Sequence, residues 1–219
     1  MDRGLIGAPS QVHVSSTQLY HAVSLIRGLL GAGCEPVTVR ATRHGAPLLD
    51  PLNRAGWTGA AEPRPATTTI ATLDFGTGRR GLYDFTENQT RNQLRFRRLL
   101  VRGSHGELRD DEVVRLAGPR TIVRTPLVRG RGAHDPDTGH ITLGDEVLFR
   151  NPYAGLRFND DEIATAALLE ATAAWVRGDG PQPYPLAEGA QDHLIGLAIE
   201  EAADTGRTVT TSTPPWDAG

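Results

Sequence analysis

Hydrophobic positions change period several times along the chain, and each change marks a predicted element. Gln11 to Ser16 alternates polar and apolar as a half-buried strand does. Thr17 to Leu30 then switches to helical spacing, with Leu19, Val23, Ile26 and Leu30 on one side. Gly31 and Gly33 stop that helix, and Pro36 to Ala41 alternates again through Val37 and Val39. Residues 43–66, rich in Gly, Pro and Ala, predict a long surface excursion. Gln93 to Arg102 reads as a strand with one charged face, and Thr121 to Val128 as another, which Pro126 places at an edge or a bulge. The turn "HDPDTGH" leads into Ile141–Leu143 and Val147–Arg150. Two helices close the chain. Asn159-Asp160-Asp161-Glu162 is a capping-box start to a stripe of Ala164, Leu168, Ala171 and Trp175 that stops at Gly178. Pro185 opens the second, which carries Leu186, Ala190, Leu194, Leu197 and Ala202 and ends at Gly206, before a short strand at Arg207 to Thr211. The succession predicts an α+β fold: one mainly antiparallel open β-sheet with helices on one face over residues 1–210, and a flexible tail at 211–219.

Gly76, Gly78 and Gly81 stand in the spacing G-x-G-x-x-G after a strand-like run, the pattern of a dinucleotide loop. That loop works only if a helix follows, because free N–H groups at the helix start hold the pyrophosphate. Here "LYDFT" follows, aromatic and β-favouring, so the glycines predict a hairpin turn and no cofactor site.

Composition narrows the chemistry. Of 219 residues, 38% are hydrophobic and 22% charged, and no apolar run approaches the roughly 20 residues of a membrane span. With no leader-like start either, a cytoplasmic protein is expected. The formal charge of −3 gives nucleic acid no electrostatic footing. Cys34 alone allows neither an internal disulfide nor a cysteine-based metal site. All 23 basic residues are arginine, which excludes lysine Schiff bases and lysine acid–base catalysis. Arginine-only usage, with 25 Gly and 15 Pro, points to a GC-rich source.

Three segments together resemble the C-terminal domain of the glucose-fructose oxidoreductase/inositol dehydrogenase (Gfo/Idh/MocA) family. "YHAVSLIRGLLGAGCEPVTVRA" is similar to the helix that begins with the family's active-site histidine and runs to a glycine before the next strand. "LLVRGSHGEL" resembles its strand-to-turn segment, and "YPLAEGAQDHLIGLAIEEAADTGRTV" its closing helix and last strand. "FRNPYAGLRFNDDEIATAALL" adds to the likeness. In that family a Rossmann domain comes first, and "MDRGLIG" falls where the two domains join. The resemblance therefore implies a substrate domain without the Gly-rich loop and the Glu-Lys-Pro lysine. The family's acid, four residues before the histidine, falls on Thr17, so His21 alone matches the Lys, Asp and His set.

His21 is the candidate acid–base group, since imidazole titrates near neutrality, with Tyr20 beside it and Thr17 one helical turn earlier. Tyr83, Arg95 and Arg97, expected on neighbouring strands, could offer a phenol and guanidinium forks to an anionic substrate, while Arg98 and Arg102 face elsewhere. His134, Asp135, Asp137 and His140 are metal-ligand types, yet they are also what a turn needs, and no metal is expected. His193 is expected in the core. Three functions follow. The first is cofactor-free proton transfer at His21 on a small polar metabolite (dehydration, isomerisation or cyclisation), suited to specialised biosynthesis. The second is the substrate half of a split NAD(P)-dependent oxidoreductase whose Rossmann domain is a separate protein. The third is a non-catalytic assembly subunit. A homodimer or a higher homo-oligomer is expected, with Arg95 or Arg97 near a sheet interface. No nucleic-acid or membrane partner is expected.

Overall fold

A computed structural model describes residues 4–131 and 138–217, which divide into two compact units, one of residues up to 110 together with those from 186 on, the other of residues 111–185. In the first unit, β1 (Pro9–Ser15) leads into α1 (Leu19–Leu30), followed by β2 (Thr38–Leu48), a small hairpin of β3 (Leu52–Asn53) and β4 (Gly56–Trp57), then β5 (Arg64–Asp74), β6 (Arg80–Thr86), β7 (Arg98–Gly103) and β8 (Gly106–Arg109). The second unit holds β9 (Glu112–Gly118), β10 (Thr121–Arg131), β11 (Thr138–Leu143), β12 (Glu146–Arg150) and α2 (Asp160–Arg177). The chain returns to the first unit with α3 (Leu186–Thr205) and β13 (Val209–Thr210).

Strands of the first unit lie in the order β8-β7-β1-β6-β5-β2-β13. All registered pairs are antiparallel except β1 with β6. Register puts Val12 opposite Gly81 and Val101, Val14 opposite Tyr83, Ala71 opposite Tyr83, and Leu73 opposite Gly81 and Val39. All are on one buried face. Ala22, Val23, Ile26 and Leu30 of α1, and Ile195, Ala198, Ile199 and Ala202 of α3, are buried with it. Gly81 lets α1 come close: a Cβ there would stand 2.7 Å from Ile26 Cγ2 and 3.2 Å from Leu73 Cβ. Gly76 and Gly78 take φ of 72° and 80° in the turn of the antiparallel β5–β6 hairpin, as the sequence predicted. Two of the three dinucleotide-like glycines thus serve a turn and the third serves packing.

Several expectations are corrected. The strand expected from Gln93 begins only at Arg98, because Asn92 Oδ1 accepts the Leu94 N–H at 3.0 Å and curls the chain before it. The excursion expected at 43–66 shrinks to residues 49–63, since β2 and β5 stay paired out to Leu48 and Arg64. Residues 42–47 of that arm are exposed, so no apolar alternation announced it. Pro126 sits on the interior strand β10, at its last pairing position against β9 and just before its first against β11. In α2 the capping box forms as predicted: Glu162 N–H donates to Asn159 Oδ1 at 3.0 Å, and Asn159 N–H to Glu162 Oε2 at 2.8 Å. Its expected stripe does not become core, since Ile163 is the one buried residue and Leu168 and Trp175 are exposed. Pairing also continues into the segment expected as a tail, with Thr211 N–H donating to Val37 O at 3.0 Å and Thr211 Oγ1 accepting from Val37 N–H at 2.9 Å. Among the described residues no helix is long and apolar enough to cross a membrane.

The buried face of α3 is rotated from the expected one. Leu186 and Leu197 are exposed, whereas Gln191 and Asp192 are buried. Neither end of the Gln191 amide has a hydrogen-bond partner among the described residues. An unsatisfied buried amide costs about 1–3 kcal/mol. Gln191→Leu, nearly the same size, is therefore expected to raise the urea midpoint with an unchanged m-value; a lower midpoint would contradict the packing described.

On the open face of the sheet, His13 lies between Leu82 and Leu100, and its buried Nε2 has no partner among the described residues. Burial lowers its pKa below 6.5; Asp84 opposes the shift, while Arg98 and Arg102 reinforce it. The unfolded chain then binds the proton more readily, so stability rises with pH across the interval from the folded pKa up to 6.5. Thermal unfolding measured downward from neutrality should show the melting temperature fall as pH drops below 6.5, less so in His13→Leu. An equal fall in both proteins would remove His13 as its cause.

Candidate functional site

Gln18, extended and without a side-chain cap bond, introduces α1. Leu19, at its first position, holds φ at 36°, a region that costs a residue with a Cβ about 1–3 kcal/mol. The Leu19 N–H donates to Tyr83 Oη at 3.1 Å, which ties the strained residue to the sheet. Tyr20 and His21 follow, both exposed, their ring centroids 4.1 Å apart. Below them the helices meet at Gly196, where a Cβ would stand 3.7 Å from the Tyr20 nitrogen. His193 on α3 also meets Tyr20 edge-on, with centroids 6.4 Å apart. The result is one phenol flanked by two imidazoles at the surface.

His193 is therefore exposed at the site rather than packed in the core as expected. The legible signal was its spacing on α3, where positions 193, 196 and 200 share one stripe. Thr17 lies in the bend before Gln18, outside α1, so the helical-turn relation expected between it and His21 does not hold. Tyr83 is 2% exposed and reaches the start of α1, but Arg95 and Arg97 are elsewhere, on the loop before β7. There Arg95 donates to Leu94 O at 3.1 Å and Arg97 to Thr90 O, beside a separate cavity of about 380 Å³. Arg98 and Arg102 instead lie on the open face, where their register sets them beside His13. His134, Asp135 and Asp137 lie outside the described residues. His140 is on β11, its ring so close to Gly130 that a Cβ there would stand 2.2 Å from Nε2.

Tyr83 forms the floor of a cavity of about 430 Å³ lined also by Gln18, Leu19, Arg43, Thr67, Thr69, Phe85, Glu87 and Glu200. Burial raises the Tyr83 pKa, the Leu19 N–H opposes that, Glu200 and Asp84 raise it further, and Arg43 lowers it. The phenol therefore stays neutral. Its oxygen accepts from Leu19 while its proton has no acceptor among the described residues. Arg43 is ion-paired with Asp204, but the side chains of Glu87 and Glu200 have no hydrogen-bond or ion-pair partner among the described residues. A second cavity, of about 730 Å³, shares Glu87 and is built around Asn88, whose Nδ2 donates to both Asp50 oxygens at 2.8 Å.

No family model and no curated protein matches the chain. Solved structures do. An oxidoreductase from Agrobacterium radiobacter in complex with NAD+, L-tartaric acid and magnesium is similar, with TM-score 0.56 and 15% identity over 95% of this chain and 58% of that one. An NAD binding oxidoreductase from Klebsiella pneumoniae matches at TM-score 0.56 and 15% identity, over 97% of this chain and 61% of that one. The WlbA dehydrogenase from Bordetella pertussis in complex with NADH and UDP-GlcNAcA matches at TM-score 0.50 and 16% identity, over 97% and 57%. The chain thus spans 57–61% of the length of these structures. At such identities they establish the fold, which is that of the C-terminal domain of Gfo/Idh/MocA-type oxidoreductases.

Proposed function

We propose that this chain supplies the substrate-side half of an active site, with His21 as its acid–base group, and that a nicotinamide-binding partner surface completes it. One observation carries this reading: Tyr20 and His21 stand exposed at the first turn of α1, outside the cavity that Gln18, Leu19 and Tyr83 line. Proton transfer needs an oriented donor or acceptor shielded from bulk water, so an exposed imidazole on this scaffold is half of a site. The dinucleotide-like spacing in this chain gives no helix start, since Gly76 and Gly78 turn the β5–β6 hairpin and Gly81 continues β6, which supports placing the cofactor on the partner. Holding the cofactor falls to the partner; binding the substrate and accepting its hydroxyl proton fall to this chain. Nicotinamides bound to proteins of the same fold support the division.

The paired imidazoles favour a second reading, in which His21 takes a proton and His193 returns it, in a dehydration, isomerisation or cyclisation without cofactor. The two are separated by isolating the chain through a tag from its native host and titrating NADH by fluorescence. The proposed function predicts saturable NADH binding by the isolated assembly and none by the chain alone. Turnover of a metabolite by the chain alone, without nicotinamide, would favour the second reading. We also propose that the open face around Leu82, Leu100, Arg98 and Arg102 pairs with a second copy, with a dimer expected in sedimentation at micromolar concentration and a monomer contradicting it.

A further inference from the structure

We infer that the cavity over Tyr83 selects an amine-bearing polyol, a hydroxylated ring carrying a protonated amino group, over neutral and acidic analogues. The inference rests on the proposed function in taking this cavity as the anchor for the substrate of His21. Tyr83, 2% exposed, offers a neutral O–H whose proton has no acceptor among the described residues, and lines the cavity from below. That donor suits a hydroxyl or ether oxygen of the ligand. Phe85, buried and stacked on Tyr83 with ring centroids 6.2 Å apart, adds an apolar floor for the ring carbons. Charge then decides the class. The one cation in the lining, Arg43, is ion-paired with Asp204, while the carboxylates of Glu87 and Glu200 keep their acceptor capacity. An anionic ligand would meet two carboxylates and a guanidinium already engaged. An ammonium group would instead find two charge-assisted acceptors, the stronger kind of hydrogen bond. The strained φ of Leu19 keeps its N–H on Tyr83 Oη and so holds the phenol in place from the side.

Glucosamine, glucose, N-acetylglucosamine and glucuronate are probes that share a ring and differ in charge. Each is titrated against the full chain at pH 7 and low salt, reading the amide resonance of Leu19 by NMR. Glucosamine is expected to bind about tenfold more tightly than glucose. N-acetylglucosamine should match glucose, and glucuronate should bind most weakly. Glu87→Gln with Glu200→Gln, its fold checked by circular dichroism, should erase the preference for glucosamine and leave glucose unchanged. Tyr83→Phe should weaken glucosamine and glucose alike, with its fold checked by circular dichroism. Glucuronate binding as tightly as glucosamine, a preference that survives the double substitution, or no saturable shift at Leu19 with any probe would each overturn the inference. Selectivity is read as a binding equilibrium without turnover, so it can hold when His21 proves dispensable, and fail when His21 proves essential.

Discussion

Arg27→Ala is expected to lower the folding stability by about 3–5 kcal/mol, a large part of what a domain of this size has. Arg27 faces inward from α1 and is 3% exposed. Its Nη1 donates to Asp192 Oδ1 at 2.6 Å, its Nη2 to Glu188 Oε2 at 2.8 Å, and its Nε and Nη2 to Gly33 O at 3.1 and 2.9 Å. Burial alone would make the guanidinium easier to deprotonate, but the hydrogen bonds and charges of Asp192 and Glu188 outweigh it and raise its pKa. The group thus joins three elements at once: α1, the loop that follows it, and α3. Removing it takes the counter-charge from Asp192, itself 1% exposed. Arg27→Lys keeps the charge and loses the planar fork, so an intermediate loss is expected. Paired replacement, Arg27→Met with Asp192→Leu, should recover most of the stability, because a buried ion pair contributes little beyond an apolar pair of similar size. Urea unfolding followed by circular dichroism measures all three. A loss below about 1 kcal/mol for Arg27→Ala, typical of an exposed pair, would contradict the buried geometry.

His21→Gln is expected to lower turnover by about 10²–10⁴-fold while the fold stays intact. The side chain is exposed and its ring contact is with Tyr20, so glutamine can replace it without disturbing the core. Glutamine keeps the hydrogen-bonding capacity and loses the titrating proton, which isolates proton transfer from binding. His193→Gln separates the two functional readings: where His21 acts with a partner surface, its effect should stay within about threefold, and where the two imidazoles share the proton it should approach that of His21→Gln. A pH–rate profile that loses a limb only in His21→Gln would identify the group directly.

Much of this fold was legible because it follows from period. The alternation of Val12 and Val14, the spacing of Val23, Ile26 and Leu30, and the capping box at Asn159 each state a local geometry that the tertiary structure keeps. The hairpin behind Gly76 was legible for the same reason, since Tyr83 and Phe85 continue a strand. What failed depends on contacts remote in sequence. Arg27 reads as a polar residue on an amphipathic helix, and only Glu188 and Asp192, some 160 positions away, make it part of the core. Gln191 hides for the same reason, and counting leucines therefore set α3 on the wrong face. The site was half visible. Tyr20 and His21 adjoin in sequence and in space, whereas His193 reaches Tyr20 only because α3 crosses α1 at Gly196. Arg95 and Arg97 were misplaced because the strand starts at Arg98 and not at Gln93, so the guanidinium groups on β7 are the next ones along.

The central claim, that His21 is the acid–base group of a site shared with a nicotinamide-binding partner surface, is tested most directly by steady-state turnover of the isolated assembly containing either the natural chain or His21→Gln. The account predicts that kcat falls at least about 100-fold while KM stays within about threefold and NADH affinity is unchanged. Equal kcat for the two assemblies would contradict it.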